Sequence, residues 1–205
     1  MPKPALPPAA SVYQLRVVVR AVSPLIWRRV LVRGDTTLAD LHAVLQVAFG
    51  WSDAHLHRFK IHGREYDAIY ESREVRVAEL GLRETERFVY DYDLGDLWRH
   101  DIRVEQILDE VGRTYPVCIG GRRAGPPEDC GGPWAFLERT QPHRIFAITV
   151  RVAEIIGQIL DDVTVLDDYR DELACLRPWL ETERFDRRAL NRALARLSIR
   201  AERAA

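Results

Sequence analysis

Three stretches of this chain alternate along one face with a period of two. Tyr13, Leu15, Val17 and Val19 are interleaved with Gln14, Arg16 and Val18. Phe88, Tyr90 and Tyr92 are interleaved with Val89, Asp91 and Asp93, and Trp98, His100, Ile102 and Val104 with Arg99, Asp101 and Arg103. Successive side chains of a strand point to opposite faces, so this spacing calls for strands buried on one side. A single helical stripe falls between them: Leu38, Leu41, Leu45 and Ala48, widened by Val44 and Phe49. Thr36 or Thr37 can cap its start, and Gly50 stands where a left-handed residue ends a helix.

The remaining segments fit around that frame. Ser23-Pro24 turns the chain into a second strand over 26–32, closed by Gly34-Asp35. A third strand over 55–61 ends at His62-Gly63-Arg64. Residues 77–82 form a short apolar turn, Leu94-Gly95 a tight turn, and 115–119 a short strand. A loop over 120–133 carries five glycines and three prolines. Helices are expected over 145–160 and 165–180, with Pro178 disturbing the second. A last helix is capped by Asp186 and has Leu190, Leu194, Leu197 and Ala201 on one face. Strands do not alternate with long helices, so the class is α+β: a β-grasp-like mixed sheet packed on one helix, with a C-terminal helical tail. The expected organisation is a disordered, proline-rich lead-in over 1–11, an α+β domain over 12–135 and a helical extension over 136–205.

Composition narrows the function classes. The net charge of -1 exerts no global pull toward nucleic acid or membrane, although residues 1–60 carry 8 basic and 3 acidic groups. Of the 30 basic residues 28 are Arg, which records genome composition more than a phosphate-binding surface, because clustering is the nucleic-acid footprint. No apolar run is long enough for a membrane helix, and the N-terminus has no apolar signal core, so the expected location is the cytoplasm. Cys118, Cys130 and Cys175 are odd in number and form no CxxC, so they are expected as free thiols.

Four motifs appear in order: Ile26-Trp27-Arg28-Arg29; Gly50-Trp51 with His55-Leu56-His57-Arg58-Phe59; Tyr90 to His100, reading YDYDLGDLWRH; and Pro126-Pro127-Glu128-Asp129-Cys130-Gly131-Gly132. In these the chain resembles the plasmid pRiA ORF-three-like family over roughly residues 12 to 135. Phe185-Asp186, Leu190-Asn191 and Leu194 resemble that family's C-terminal pattern, whereas 136–183 is longer and more apolar than its usual acidic linker. The resemblance implies an α+β domain of unknown activity, with members on plasmids and near mobile elements, some labelled resolvase-like. A serine recombinase needs an activated Ser beside an arginine cluster. Ser11, Ser23, Ser52, Ser72 and Ser198 have no such setting, so recombinase activity is not carried over.

The polar residues of these motifs form one candidate constellation. Period two places His55 and His57 on the face of Phe59 and Ile61, and His100 on that of Trp98. Asp96 follows the Gly95 turn, and Glu128, Asp129 and Cys130 come from the rigid loop, with Trp51, Tyr92 and Trp98 supporting. Imidazole and carboxylate suit zinc, manganese or iron, and two His with one carboxylate leave positions for water. The same residues can equally form a buried hydrogen-bond network that ties strand ends to the loop. Arg188, Arg192, Arg196 and Arg200 recur every four residues and could meet phosphates, but the leucines mark the buried side, which makes this a solvated face. GxxxxGK[ST], GxGxxG and HExxH are absent.

Three functions follow. The first is a non-enzymatic binding or adaptor module for a protein or small ligand. The second is a metal-dependent hydrolase or nuclease with zinc or manganese on the His/Asp/Glu cluster. The third is a DNA-associated accessory factor of a mobile element. No membrane partner is expected.

Overall fold

The computed structural model describes residues 11–67, 74–109, 112 and 114–204, with side chains through Leu197. The expected lead-in therefore lies outside the described residues except for Ser11, which already begins the first strand.

Among the described residues seven strands form one sheet: β1 (Ser11–Val19), β2 (Trp27–Arg33), β3 (His57–Ile61), β4 (Arg64–Asp67), β5 (Arg87–Tyr92), β6 (Trp98–Asp109) and β7 (Val117–Arg122), in the order β4-β3-β5-β6-β1-β2-β7. Every pairing is antiparallel. This corrects the mixed sheet expected from the sequence. The β-grasp label therefore goes no further, while the α+β class stands. Hairpins account for it: β1 with β2, β3 with β4, and β5 with β6 are joined by short turns that reverse the chain.

Helix α1 (Leu38–Phe49) crosses the buried face. Thr37 and Asp40 form a reciprocal cap, the Asp40 amide donating to Thr37 Oγ1 at 3.0 Å, and Gly50 ends the helix at φ 80°. Leu38, Leu41 and Leu45 are fully buried, in one cluster with Val17 and Phe59. The face is continuous because Val19 pairs with His100, Val17 with Ile102 and Leu15 with Val104. A 3-10 turn (Val77–Leu80) seals one end of the core with Val77.

On the opposite face charges pair instead. Asp91 is fully buried beneath Arg99, whose Nε donates to it at 2.7 Å, and Arg58, at 3.2 Å. Burial favours the neutral acid, but the two guanidiniums outweigh it and hold the carboxyl below its usual range.

Four further helices follow: α2 (Gly132–Arg139), α3 (Pro142–Asp161), α4 (Leu166–Leu180) and α5 (Arg187–Ala204). Helix α5 lies against the edge strand β7. Asn191 accepts the Cys118 N–H at 2.7 Å and returns its own N–H to the Cys118 carbonyl at 2.9 Å. Among the described residues no helix is long and apolar enough to cross a membrane.

Candidate functional site

The motif residues gather where the α1–β3 connection, the β5–β6 turn and the loop before α2 meet. Gly125 makes the close approach possible, since a Cβ there would run into the Phe49 carbonyl at the end of α1. Trp51 donates its indole N–H to the Pro126 carbonyl at 2.9 Å and stacks on Tyr92, centroids 4.8 Å apart. Glu128 accepts from the Ser52 amide at 3.1 Å, the Ser52 hydroxyl at 2.6 Å and the Tyr92 hydroxyl. Asp96 accepts the Gly131 and Gly132 amides, both at 2.9 Å, and so anchors the start of α2.

The imidazoles expected to share one site divide among three environments. His55 lies outside β3, in the connection before it, and meets Asp129 at 2.7 Å and Asp93 at 3.8 Å. Desolvation works against its charged form, but Asp129, Asp93 and Glu128 outweigh this and raise its pKa. His57 is buried on β3 and stacks on His42 of α1 at 3.5 Å. His100 is fully buried among Phe49, Trp51 and Tyr90, with Nε2 unpartnered. Burial pushes both His57 and His100 down to about 4. Cys130 is buried and its thiol is pushed up to about 11, by desolvation first and Asp96 second, so it stays protonated. Trp98 is buried against Trp51 and Phe136. Arg188, Arg192 and Arg196 are exposed on α5, and the side chain of Arg200 lies outside the described residues. All three cysteines are free.

Sequence reasoning passed over His42, Asp53 and Asp93. His42 Nε2 lies 2.7 Å from Asp53 and Nδ1 2.7 Å from the Tyr90 hydroxyl, which also accepts from Gln46 at 3.0 Å. The signal was present: His42 stands four residues after Leu38 and three before Leu45, on the buried stripe. Atoms of His42, Asp53 and His57 come within 4.8 Å of one another, as in a metal triad. The ring planes are only 10° from parallel, however. A shared ion would lie out of plane for both rings, away from their lone pairs, so this group is a hydrogen-bonded stack.

Beside these residues opens a cleft of about 900 Å³ between the end of α1, the Pro126-Pro127 loop, α4 and the start of α5. Arg28 of β2 lines it and is almost wholly buried. Its Nε donates to the Ala48 carbonyl at 2.8 Å and its Nη1 to Trp27 and Arg122 carbonyls at 2.8 and 3.1 Å. The guanidinium lies between the rings of Phe49, at 5.0 Å, and Phe185, at 4.5 Å. A Cβ on Gly121 would collide with the Phe185 ring, so that glycine makes the room for it. Among the described residues Arg28 has no carboxylate within ion-pair distance, and burial lowers its pKa to about 10.

Residues 11–143 match the family described as plasmid pRiA4b ORF-3-like protein. The uncharacterized protein y4hQ of Sinorhizobium fredii (strain NBRC 101917 / NGR234) is 35% identical over 139 residues, 63% of this chain and 71% of that protein. Among solved structures, the protein of unknown function MM3350 from Methanosarcina mazei Go1 is similar over 87% of this chain and 97% of its own, with TM-score 0.66 and 28% identity. That likeness covers more of the chain than the family match does and so takes in part of the helical region.

Proposed function

This chain belongs to the plasmid pRiA4b ORF-3-like family, and within that family we propose that it is a non-enzymatic binding module that holds a small organic anion in the cleft beside Arg28. The observation that carries the reading is a buried guanidinium bonded only to backbone carbonyls and stacked between two rings. Burying a cation without a counter-charge is costly, and an anionic ligand would supply that charge. The Ala48 carbonyl belongs to the negative end of α1, which supports Arg28 in the free protein.

Most of the other carboxylates of the cleft are engaged, and Asp129 is held by His55 at 2.7 Å. Glu181 is engaged by Arg177 at 3.3 Å and Arg184 at 3.1 Å, Glu128 by Ser52 and Tyr92, and Asp186 by the Ala189 amide at 2.9 Å. Arg139 lies over the Trp179 ring with no ion pair among the described residues. Two cations thus face the cleft with spare charge, beside the apolar surfaces of Pro126, Pro127 and Phe185. The volume suits a small molecule. The proposal places the protein in the cytoplasm, where its free cysteines stay reduced.

Titration with succinate and inorganic phosphate, followed by amide NMR, tests this. Shifts should concentrate at Gly125, Phe185 and Ala189 and should weaken at least about tenfold in Arg139→Gln, a substitution at the rim. Arg28→Gln should abolish them. Shifts spread over the surface, or unchanged in Arg139→Gln, would overturn the assignment.

A further inference from the structure

The corner where three connections meet borders the anion cleft, shares Asp129 with it and carries a second feature. His55 Nε2 lies 2.7 Å from Asp129 Oδ1 and 3.8 Å from Asp93 Oδ2, and all three donor atoms lie within 4.8 Å of one another. We propose that His55, Asp93 and Asp129 bind a divalent first-row transition metal ion, of the kind represented by Mn²⁺ or Zn²⁺.

The separations fit. Bonds of about 2.0–2.2 Å at octahedral or tetrahedral angles set donors about 2.8–3.6 Å apart, and the two distances from His55 bracket that range. Small side-chain rotations bring them to it. The donor set is one imidazole and two carboxylates, which suits a borderline ion better than Mg²⁺ or Ca²⁺.

Asp93 offers the site a carboxylate oxygen. Its side chain is largely buried, and its Oδ1 is occupied by the Gly95 amide at 3.1 Å and the Asp96 amide at 3.2 Å. Its Oδ2 has no hydrogen-bond partner and is turned toward His55. That oxygen is not sealed from solvent, so it is available to an ion that enters beside His55.

The arginine-rich surroundings sharpen the point. Asp91, Asp101 and Glu105 each have an arginine partner. Among the described residues Asp93, Glu128 and Asp129 have none, and His55 is the only basic group within ion-pair distance of the site. Glu128 is held by Ser52 and Tyr92 and adds negative charge from behind without being a ligand. His55 and Asp129 are open to solvent, so an ion can enter and keep water in its remaining positions. Bound there, it would tie together the α1–β3 connection, the β5–β6 turn and the loop before α2.

The test is calorimetric titration of untagged, chelator-stripped full-length protein with Mn²⁺, and separately with Zn²⁺. One ion per chain is expected, with Mn²⁺ broadening the His55 ring resonances. Asp93→Asn keeps an oxygen for the two turn amides but replaces the oxygen facing the site. It and His55→Gln should each weaken binding at least about tenfold while the metal-free melting temperature holds. Absence of stoichiometric binding at millimolar metal, equal affinity for Mg²⁺, or affinity that survives both substitutions would overturn the proposal. Arg139→Gln should leave metal affinity unchanged, which keeps this outcome separate from that of the cleft.

Discussion

The imidazoles of His42 and His57 stack at 3.5 Å with planes 10° apart, one carried by the helix and the other by the sheet. Two charged rings could not lie so close. Burial lowers the pKa of both, so both are neutral at pH 7. The partners also determine where His42 keeps its proton. The Asp53 carboxylate can only accept, so Nε2 carries the hydrogen, and the Tyr90 hydroxyl donates to Nδ1. Nitrogen NMR at pH 7 should show His42 as the Nε2–H tautomer. Tyr90→Phe should leave His42 Nδ1 and Gln46 Nε2 unpartnered and cost about 1–3 kcal/mol in urea unfolding. An Nδ1–H tautomer, or an unchanged urea midpoint, would contradict this account.

Two glycines should respond oppositely to alanine. Gly125 is pressed against the Phe49 backbone, which cannot move aside without disturbing the end of α1. Gly125→Ala should therefore destabilise the protein by about 2 kcal/mol or more. Gly157 lies within α3 with open space where a Cβ would go. Gly157→Ala should stabilise by about 0.5–1 kcal/mol through helix propensity. Thermal melts of the two variants beside the parent check both signs.

Acid should weaken the fold through His100. Its ring sits among Phe49, Trp51 and Tyr90, with Arg28 on β2 opposing a positive charge and Asp91 on β5 favouring one; desolvation is the largest influence, and the pKa falls to about 4. The unfolded chain binds the proton near pH 6.5, well before the folded one. The stability contribution is therefore complete above about pH 6.5, declines as pH falls toward 4, and changes no further below that. The loss from this residue is on the order of 3 kcal/mol. Urea midpoints measured from pH 7 to 4 should show the decline, and His100→Leu should make it shallower, with His57 and His42 carrying the remainder.

Asp91 offers a test on the opposite face of the sheet. Asp91→Asn would leave Arg58 and Arg99 facing each other over a neutral amide. Because both guanidiniums are partly exposed, the cost should be on the order of 2 kcal/mol rather than that of a fully buried pair. A double-mutant cycle with Arg99→Gln should recover part of it.

Alternation made β1, β5 and β6 legible, Gly50 marked the end of α1, and of the two threonines offered for its start Thr37 is the cap. Strand β4 was missed because in Arg64-Glu65-Tyr66-Asp67 only Tyr66 is buried, which leaves no pattern to read. Helix α2 hid behind Gly131-Gly132-Pro133, read as loop, although a proline in the first turn is an ordinary helix start. For the site, period-two reasoning failed at His55 because β3 begins only at His57, so the strand rule did not apply to it. The meeting of His55 with Asp129 depends on how two loops fold over each other, which local spacing does not encode. Asp93 was read as one more residue of an alternating strand, whereas it turns the chain with one oxygen and faces His55 with the other.

The amide of Asn191 has a consequence for how copies of the protein behave together. By bonding both the N–H and the carbonyl of Cys118, it imitates a neighbouring strand one residue long at the β7 edge. A sheet margin with open hydrogen-bonding groups invites pairing with another chain. Helix α5 therefore serves as a guard rail: with it in place β7 has no vacancy for a foreign strand at Cys118, and a chain shortened before Asp186 should be prone to aggregation.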